Sequence, residues 1–246
     1  MNLLLEGVGW ILDPANWTGV GSIPTRIGQH LLISLTVLVI ASMIALPTGV
    51  FVGHTGRGRE LAITVSGGLR ALPTLGLLTL FALWLGIGLQ APVIALVILA
   101  LPPLLAGAYA GLESVDRRTV DAARAMGMRE GQIVGKVELP LSLPIVVGGI
   151  RSATLQIIAT ATLAAYVADF GLGRFIFQGL KTRDYPEMLG GSILVILLAL
   201  VVDGLFAIIQ RLAVPAGVRA TRSELRSRPA RPRTAVGQPI HEGNQQ

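Results

Sequence analysis

Apolar residues run along this chain in blocks too long for the helices of a soluble core. Residues 29–53, QHLLISLTVLVIASMIALPTGVFVG, can cross a hydrocarbon layer about 30 Å thick, which takes about 20 residues of helix. A second block, 61–88, carries Arg70 and breaks at Pro73; it is too short for two crossings and reads as one kinked span. A third, 91–111, contains Pro102 and Pro103, and two more cover 141–168 and 189–210. The pattern predicts an all-α integral membrane protein with five transmembrane helices, six being the alternative count. Five crossings put the termini on opposite sides.

Between the third and fourth blocks, over residues 113–140, the pattern turns polar and its period becomes helical. Asp116 is placed to cap a helix over 117–126, and Gly127 to end it in the left-handed region. Residues 132–139 then put Ile133, Val134 and Val137 on one face, and Pro140 is expected to stop that second helix where the fourth span begins. Ala122 and Ala123 leave little side chain on the first helix, so another protein's surface can approach it. A plain solvated connector is the alternative. Of the flanks, residues 1–28 lack the basic start and cleavage site of a signal peptide and read as an interfacial cap outside the membrane, anchored by Trp10 and Trp17. Residues 213–246 have no apolar period and read as a disordered basic tail.

Composition agrees with a membrane assignment: of 246 residues 52% are hydrophobic and 14% charged, and mean hydropathy is +0.68. The 30 glycines and 14 prolines would punctuate a soluble helical domain badly, whereas neighbouring membrane helices re-satisfy the backbone groups they free. A net charge of +6 invites nucleic acid as a partner, but the basic residues fall in loops and in the tail, where they act as a topology signal. Arg57 and Arg59 follow the first span, and Arg117, Arg118, Arg124, Arg129 and Lys136 the third; the opposite side holds Arg26, Arg174, Lys181 and Arg183. The N-terminus is therefore expected outside and the C-terminus in the cytoplasm.

Candidate chemistry is sparse. The chain has no cysteine, which excludes disulfides, thiolate metal sites and cysteine nucleophiles. His30 and His54 stand at opposite ends of the first span without metal-ligand spacing, no Walker-type loop is present, and no serine or threonine has a base in a plausible arrangement. No catalytic residue, metal or cofactor is expected on this chain. Three charges lie within spans: Arg70, Arg151 and Asp203. Counted from the cytoplasmic ends they share a depth of about 12–16 Å, so one carboxylate and two guanidiniums can meet, as a structural clamp or as part of a gate. Snorkelling of the arginines toward the cytoplasm is the other possibility.

The polar segment resembles a known signature. Asp121-Ala122-Ala123, three residues, Gly127, nine residues, Val137-Glu138-Leu139-Pro140 is similar to the cytoplasmic motif of permease subunits in ATP-binding-cassette (ABC) importers, Glu-Ala-Ala, three residues, Gly, nine residues, Ile-x-Leu-Pro. Asp replaces Glu and Val replaces Ile. The resemblance implies that Asp121, Ala122, Ala123, Gly127, Leu139 and Pro140 belong to a coupling-helix pair that docks on an ATPase subunit, and a permease fold of the methionine-importer type. ALPTLGLLTLFALWLGIGLQ, ATLAAYVADFGLGRFIFQGL and LALVVDGLFAIIQRLAVP resemble the osmoprotectant branch, importers of glycine betaine, choline, carnitine or proline betaine, with methionine importers as nearest competitors. ADFGLG departs from the glycine-rich pattern expected there at Asp169 and Phe170.

The resemblance implies a non-catalytic subunit of the bacterial cell membrane. Its partners would be two ABC ATPase subunits that bind the ATP, a second permease subunit, an external binding protein and lipid, with no nucleic acid. The rings of Trp84, Tyr109, Tyr166, Phe170, Phe175 and Phe177 are scattered along the chain and form no evident cage for a quaternary ammonium; the resemblance implies that solute choice lies in the binding protein. A stand-alone secondary transporter is the rival reading, against which stands the lack of an inverted internal repeat.

Overall fold

The computed structural model describes residues 3–212, and every regular element among them is helical. The expected tail, 213–246, lies outside the described residues. The chain begins with α1 (Leu3–Leu12) and a 3-10 turn, Pro14–Trp17, capped by the Asp13 carboxylate. Helix α2 (Ile23–Thr55) follows, then α3 (Arg59–Ala71), α4 (Thr74–Leu85) and α5 (Gln90–Glu113). Two short helices, α6 (Arg117–Ala125) and α7 (Glu130–Ile133), precede α8 (Leu139–Ala161). A 3-10 turn, α9 (Ala165–Ala168), α10 (Gly173–Thr182) and α11 (Tyr185–Leu212) complete the order.

Among the described residues four helical stretches are long and apolar enough to cross a membrane: α2, α5, α11 and the run from Glu130 to Ala168. The pair α3 and α4, bent by 84°, supplies a fifth when counted as one broken span. The break has a local cause. Pro73 disfavours helical geometry in the residue before it, and Leu72 is extended at φ −68°, ψ 129°.

Helix α5 lies between α2 and α8, and small residues let the three backbones approach closely. Gly49 and Gly53 of α2 meet Ala108, Tyr109 and Leu112, and Gly107 of α5 meets Gly149 of α8 backbone to backbone. Around these contacts Ile33, Val37, Leu96, Leu104 and Ile157 form the buried core. Pro103 cannot donate to the Leu99 carbonyl one turn earlier, and Gln156 of α8 donates to that carbonyl instead, at 2.9 Å. A polar side chain thus both repairs a proline break and ties two spans together.

Candidate functional site

The polar segment folds as a helix–turn–helix. Asp116 caps α6 by accepting from the Arg118 N–H at 2.9 Å, and Gly127 ends it at φ +83°, where the Gly127 N–H donates to Arg124 and the Met128 N–H to Ala123. Arg129 opens α7 with its N–H donated to the Gln132 side chain at 2.9 Å. Val115, Val120, Ala123 and Ile133 make a small core between the two helices, with Met128 and Val137 against it. Ala123 is therefore turned inward, 2% exposed, and joins the helices instead of presenting a bare surface; Asp121, Ala122, Met126 and Gly127 are among the exposed residues.

Pro140 does not stop the second helix. Residues Val134–Glu138 form a π-helical segment in which the Leu139 N–H reaches five residues back to Val134, and the helix then continues as α8. A proline lacks the N–H and its ring needs room beside the carbonyl four residues earlier; the wider π turn supplies that room without breaking the helix. Leu139 is half-buried at the junction and Pro140 exposed.

The π segment turns Glu138 inward, where it is 2% exposed. Its Oε2 lies 2.6 Å from Nδ1 of His54 on the last turn of α2, and His54 Nε2 lies 3.1 Å from Glu130 Oε2. Arg124 closes a bidentate pair with Glu130 at 2.7 and 3.0 Å and reaches Asp121 Oδ1 at 3.1 Å. Hydrogen bonding from the Arg124 guanidinium holds the Glu130 carboxyl below its usual range, and Glu130 in turn raises Arg124. Four groups thus link the end of α2 to Asp121 on α6. Sequence reasoning weighed His54 only as a metal ligand. An acidic residue in the buried phase of a helix beginning at the membrane edge was the available signal for its partner.

Of the three intramembrane charges, two meet. Arg151 of α8 forms a bidentate pair with Asp203 of α11, at 2.6 and 2.7 Å, with the side chains 30% and 32% exposed in the isolated chain. Gln210 braces the same pair of helices by donating to the Pro144 carbonyl at 3.0 Å. Arg70 does not join them. It is exposed on α3, lines a cavity of about 290 Å³ with Ser66, Leu105 and Tyr109, and makes no ion pair with the described residues. The depth estimate kept Arg70 on a span that still crosses the membrane despite its kink, whereas α3 and α4 lie at 84° to one another.

At the other end of α2, the stretch ADFGLG closes over buried polar groups. Asp169 is left-handed at φ +48° and Gly171 lies at φ +80°, where a Cβ would stand 3.1 Å from His30 Nδ1. Fully buried His30 accepts from the Leu172 N–H at 3.3 Å and donates from Nε2 to Ile158 at 2.9 Å. Gln29 accepts from Gly171, while Asp169 pairs with Arg26 at 3.3 Å and Arg174 at 3.1 Å. Phe170 packs on the core.

Comparison with known proteins points one way. A family model described as "Binding-protein-dependent transport system inner membrane component" matches residues 45–216. The carnitine transport permease protein OpuCB of Listeria monocytogenes is 36% identical over 194 residues, covering 79% of this chain and 89% of the relative. The glycine betaine/carnitine/choline transport system permease protein OpuCB of Bacillus subtilis (strain 168) is 31% identical over 205 residues, 83% of this chain and 94% of the relative. Among solved structures, an inward-facing form of the MetNI methionine ABC transporter superposes with a TM-score of 0.68 at 22% identity, covering 77% of this chain and 95% of that one.

Proposed function

The chain belongs to the family of binding-protein-dependent inner-membrane transport components, and we propose that it is the permease subunit that passes an osmoprotectant across the membrane. The family is one of multi-pass membrane proteins that work with an ATPase and a solute-binding protein. The observation that carries the solute class is the similarity, along most of their length, to permeases named for carnitine, glycine betaine and choline. ATP is bound by the partner ATPase, two copies per importer, and the permease pairs with a second copy or a related subunit. An external binding protein delivers the solute. The N-terminus is outside and the C-terminus cytoplasmic, as the basic loops indicate.

Asp121, Ala122 and Gly127 form the face of the helix–turn–helix that meets the ATPase, with Ala123, Leu139 and Pro140 fixing its shape. Two short helices with a shared core and a pinned turn transmit a displacement that a loose loop would absorb.

The test is uptake into proteoliposomes that hold this chain, its ATPase and its binding protein, offered labelled glycine betaine, carnitine, choline and methionine. Uptake of at least one of the first three is expected. Transport of methionine alone, or transport without the ATPase, would overturn the reading. Gly127→Val separates the coupling role. A β-branched residue resists the left-handed turn by about 1 kcal/mol or more, so uptake and ATPase capture should fall while membrane insertion stays normal. Wild-type values in both assays would remove the turn from the mechanism.

A further inference from the structure

The end of α2 remote from the helix–turn–helix holds a polar cavity of about 340 Å³, whose walls include Trp10, Arg26, Arg174, Phe175, Gln178 and Glu187. Glu187, on the first turn of α11, is 8% exposed. Its own N–H is taken by Asp184, but its carboxylate has neither a hydrogen bond nor a cationic nitrogen within 4.0 Å among the described residues. The residue is buried but its carboxylate opens on the cavity, where the nearest compensating charge is Arg174 across the space and no group is in contact with it, so a donor or cation that enters the cavity gains a partner there.

The other wall is cationic. Arg174 reaches Asp169 and Gln178, and Arg26 is held through its terminal nitrogens while its Nε is buried without a partner. Asp169 pairs with both guanidiniums, which leaves one net positive charge on that wall against the Glu187 carboxylate on the other, so the cavity is neutral overall and dipolar. Trp10 and Phe175 meet edge to face with ring centroids 4.9 Å apart, giving it an apolar side. A simple cation suits Glu187 but meets the arginines, and a simple anion meets the reverse conflict. A molecule that carries both charges answers both walls, and an aromatic side tolerates the methyl groups of an onium.

We propose that this cavity is a receiving site for a small zwitterion, its ammonium group beside Glu187 and its carboxylate toward Arg174 and Arg26. Betaines and free amino acids share that chemistry. The choice of a betaine rests on the osmoprotectant reading above; the dipolar site itself does not.

The experiment measures equilibrium binding of labelled glycine betaine to the full chain in nanodiscs without binding protein, with methionine, choline and acetate as competitors. Saturable binding is expected. Choline and acetate should compete about tenfold more weakly than unlabelled betaine, because each meets one wall only. Competition by methionine at least equal to that by betaine would assign the site to amino acids. Glu187→Gln and Arg174→Gln should each weaken binding about tenfold or more, with Glu187→Asp retaining part of it. No saturable binding, equal competition by choline, or unchanged binding in Glu187→Gln would overturn the site; a lower unfolding temperature with unchanged binding would make Glu187 structural. Where Glu187→Gln does not fold, the competitor series on the unaltered chain decides. Uptake by the complete importer separates the two readings. Normal betaine uptake by Glu187→Gln sinks the site and leaves the osmoprotectant assignment. Absent uptake with intact dipolar binding does the opposite.

Discussion

Placing a methyl group at Gly107 tests the packing on which the bundle depends. A Cβ there would lie 2.5 Å from the Gly149 Cα, against the 3.4 Å at which ordinary contact begins, so it falls short by about 0.9 Å. The obstacle is backbone and cannot swing aside; α5 and α8 must part by about that distance. A gap of about 0.5–1 Å forfeits a quarter to a half of each van der Waals contact along the seam, including Gly111 against Val146 and Ser142. Overpacking of this kind costs about 1–3 kcal/mol, and the better helix propensity of Ala returns about 1 kcal/mol, leaving a net loss of up to about 2 kcal/mol. Gly28→Ala is the control, since no atom lies within 4 Å of its added Cβ and only the propensity gain remains. Thermal unfolding of the detergent-extracted chain should show Gly107→Ala melting below the wild type and Gly28→Ala at or above it. Gly149→Ala should behave like Gly107→Ala, and the double variant should cost less than twice as much, because the helices have already parted. If Gly107→Ala melts like the control, α5 and α8 are not in the contact described and the argument fails.

Three further outcomes follow from other contacts. Asp203→Asn should lower the unfolding temperature and the yield of folded chain, Arg151→Gln in the same chain should restore part of both, and Arg70→Gln should restore neither; equal rescue by Arg70→Gln would contradict the pairing. His54→Ala or Glu138→Gln should loosen the helix–turn–helix from α2, read as faster proteolysis between Arg117 and Lys136 with the spans intact, and an unchanged cleavage rate would make that network passive. A reporter fused after Gln246 should be cytoplasmic and one inserted near Lys181 external, whereas both on one side would refute the five-span count.

The spans were legible because membrane crossing needs nothing more than length and apolarity, and the helix–turn–helix because capping and left-handed turns have local signatures at Asp116 and Gly127. Continuation of the helix through Pro140 was not legible. A rule about proline alone predicts a stop, while the outcome depended on the chain's freedom to shift five residues to the π pairing. Arg70 misled for a similar reason, since Pro73 announces a kink but not its size, and the bend of 84° leaves α3 and α4 on different lines. The partners of His54 and His30 lie 84 and 128 residues away, and no periodicity carries that information. Glu187 lies between the fourth and fifth apolar blocks, and only tertiary packing buries it.

These contacts say where the molecule can give. Helix α2 is tied to both ends of the α8 helix, through His54 and Glu138 at one end and through His30 and Ile158 at the other. Helix α5 is wedged between them by glycine contacts and by Gln156, and α11 is joined to α8 by Arg151, Asp203 and Gln210. A displacement applied at α6 therefore reaches α2, α5, α8 and α11 as one body. The α3–α4 pair is held differently. None of α3 is buried and only Leu78 of α4 is, one ion pair, Arg59 with Glu113, fixes its start, and Leu80, Leu83 and Trp84 project outward. With a break at Leu72 and Pro73 in its middle, it has the fewest buried residues of the candidate spans among the described residues.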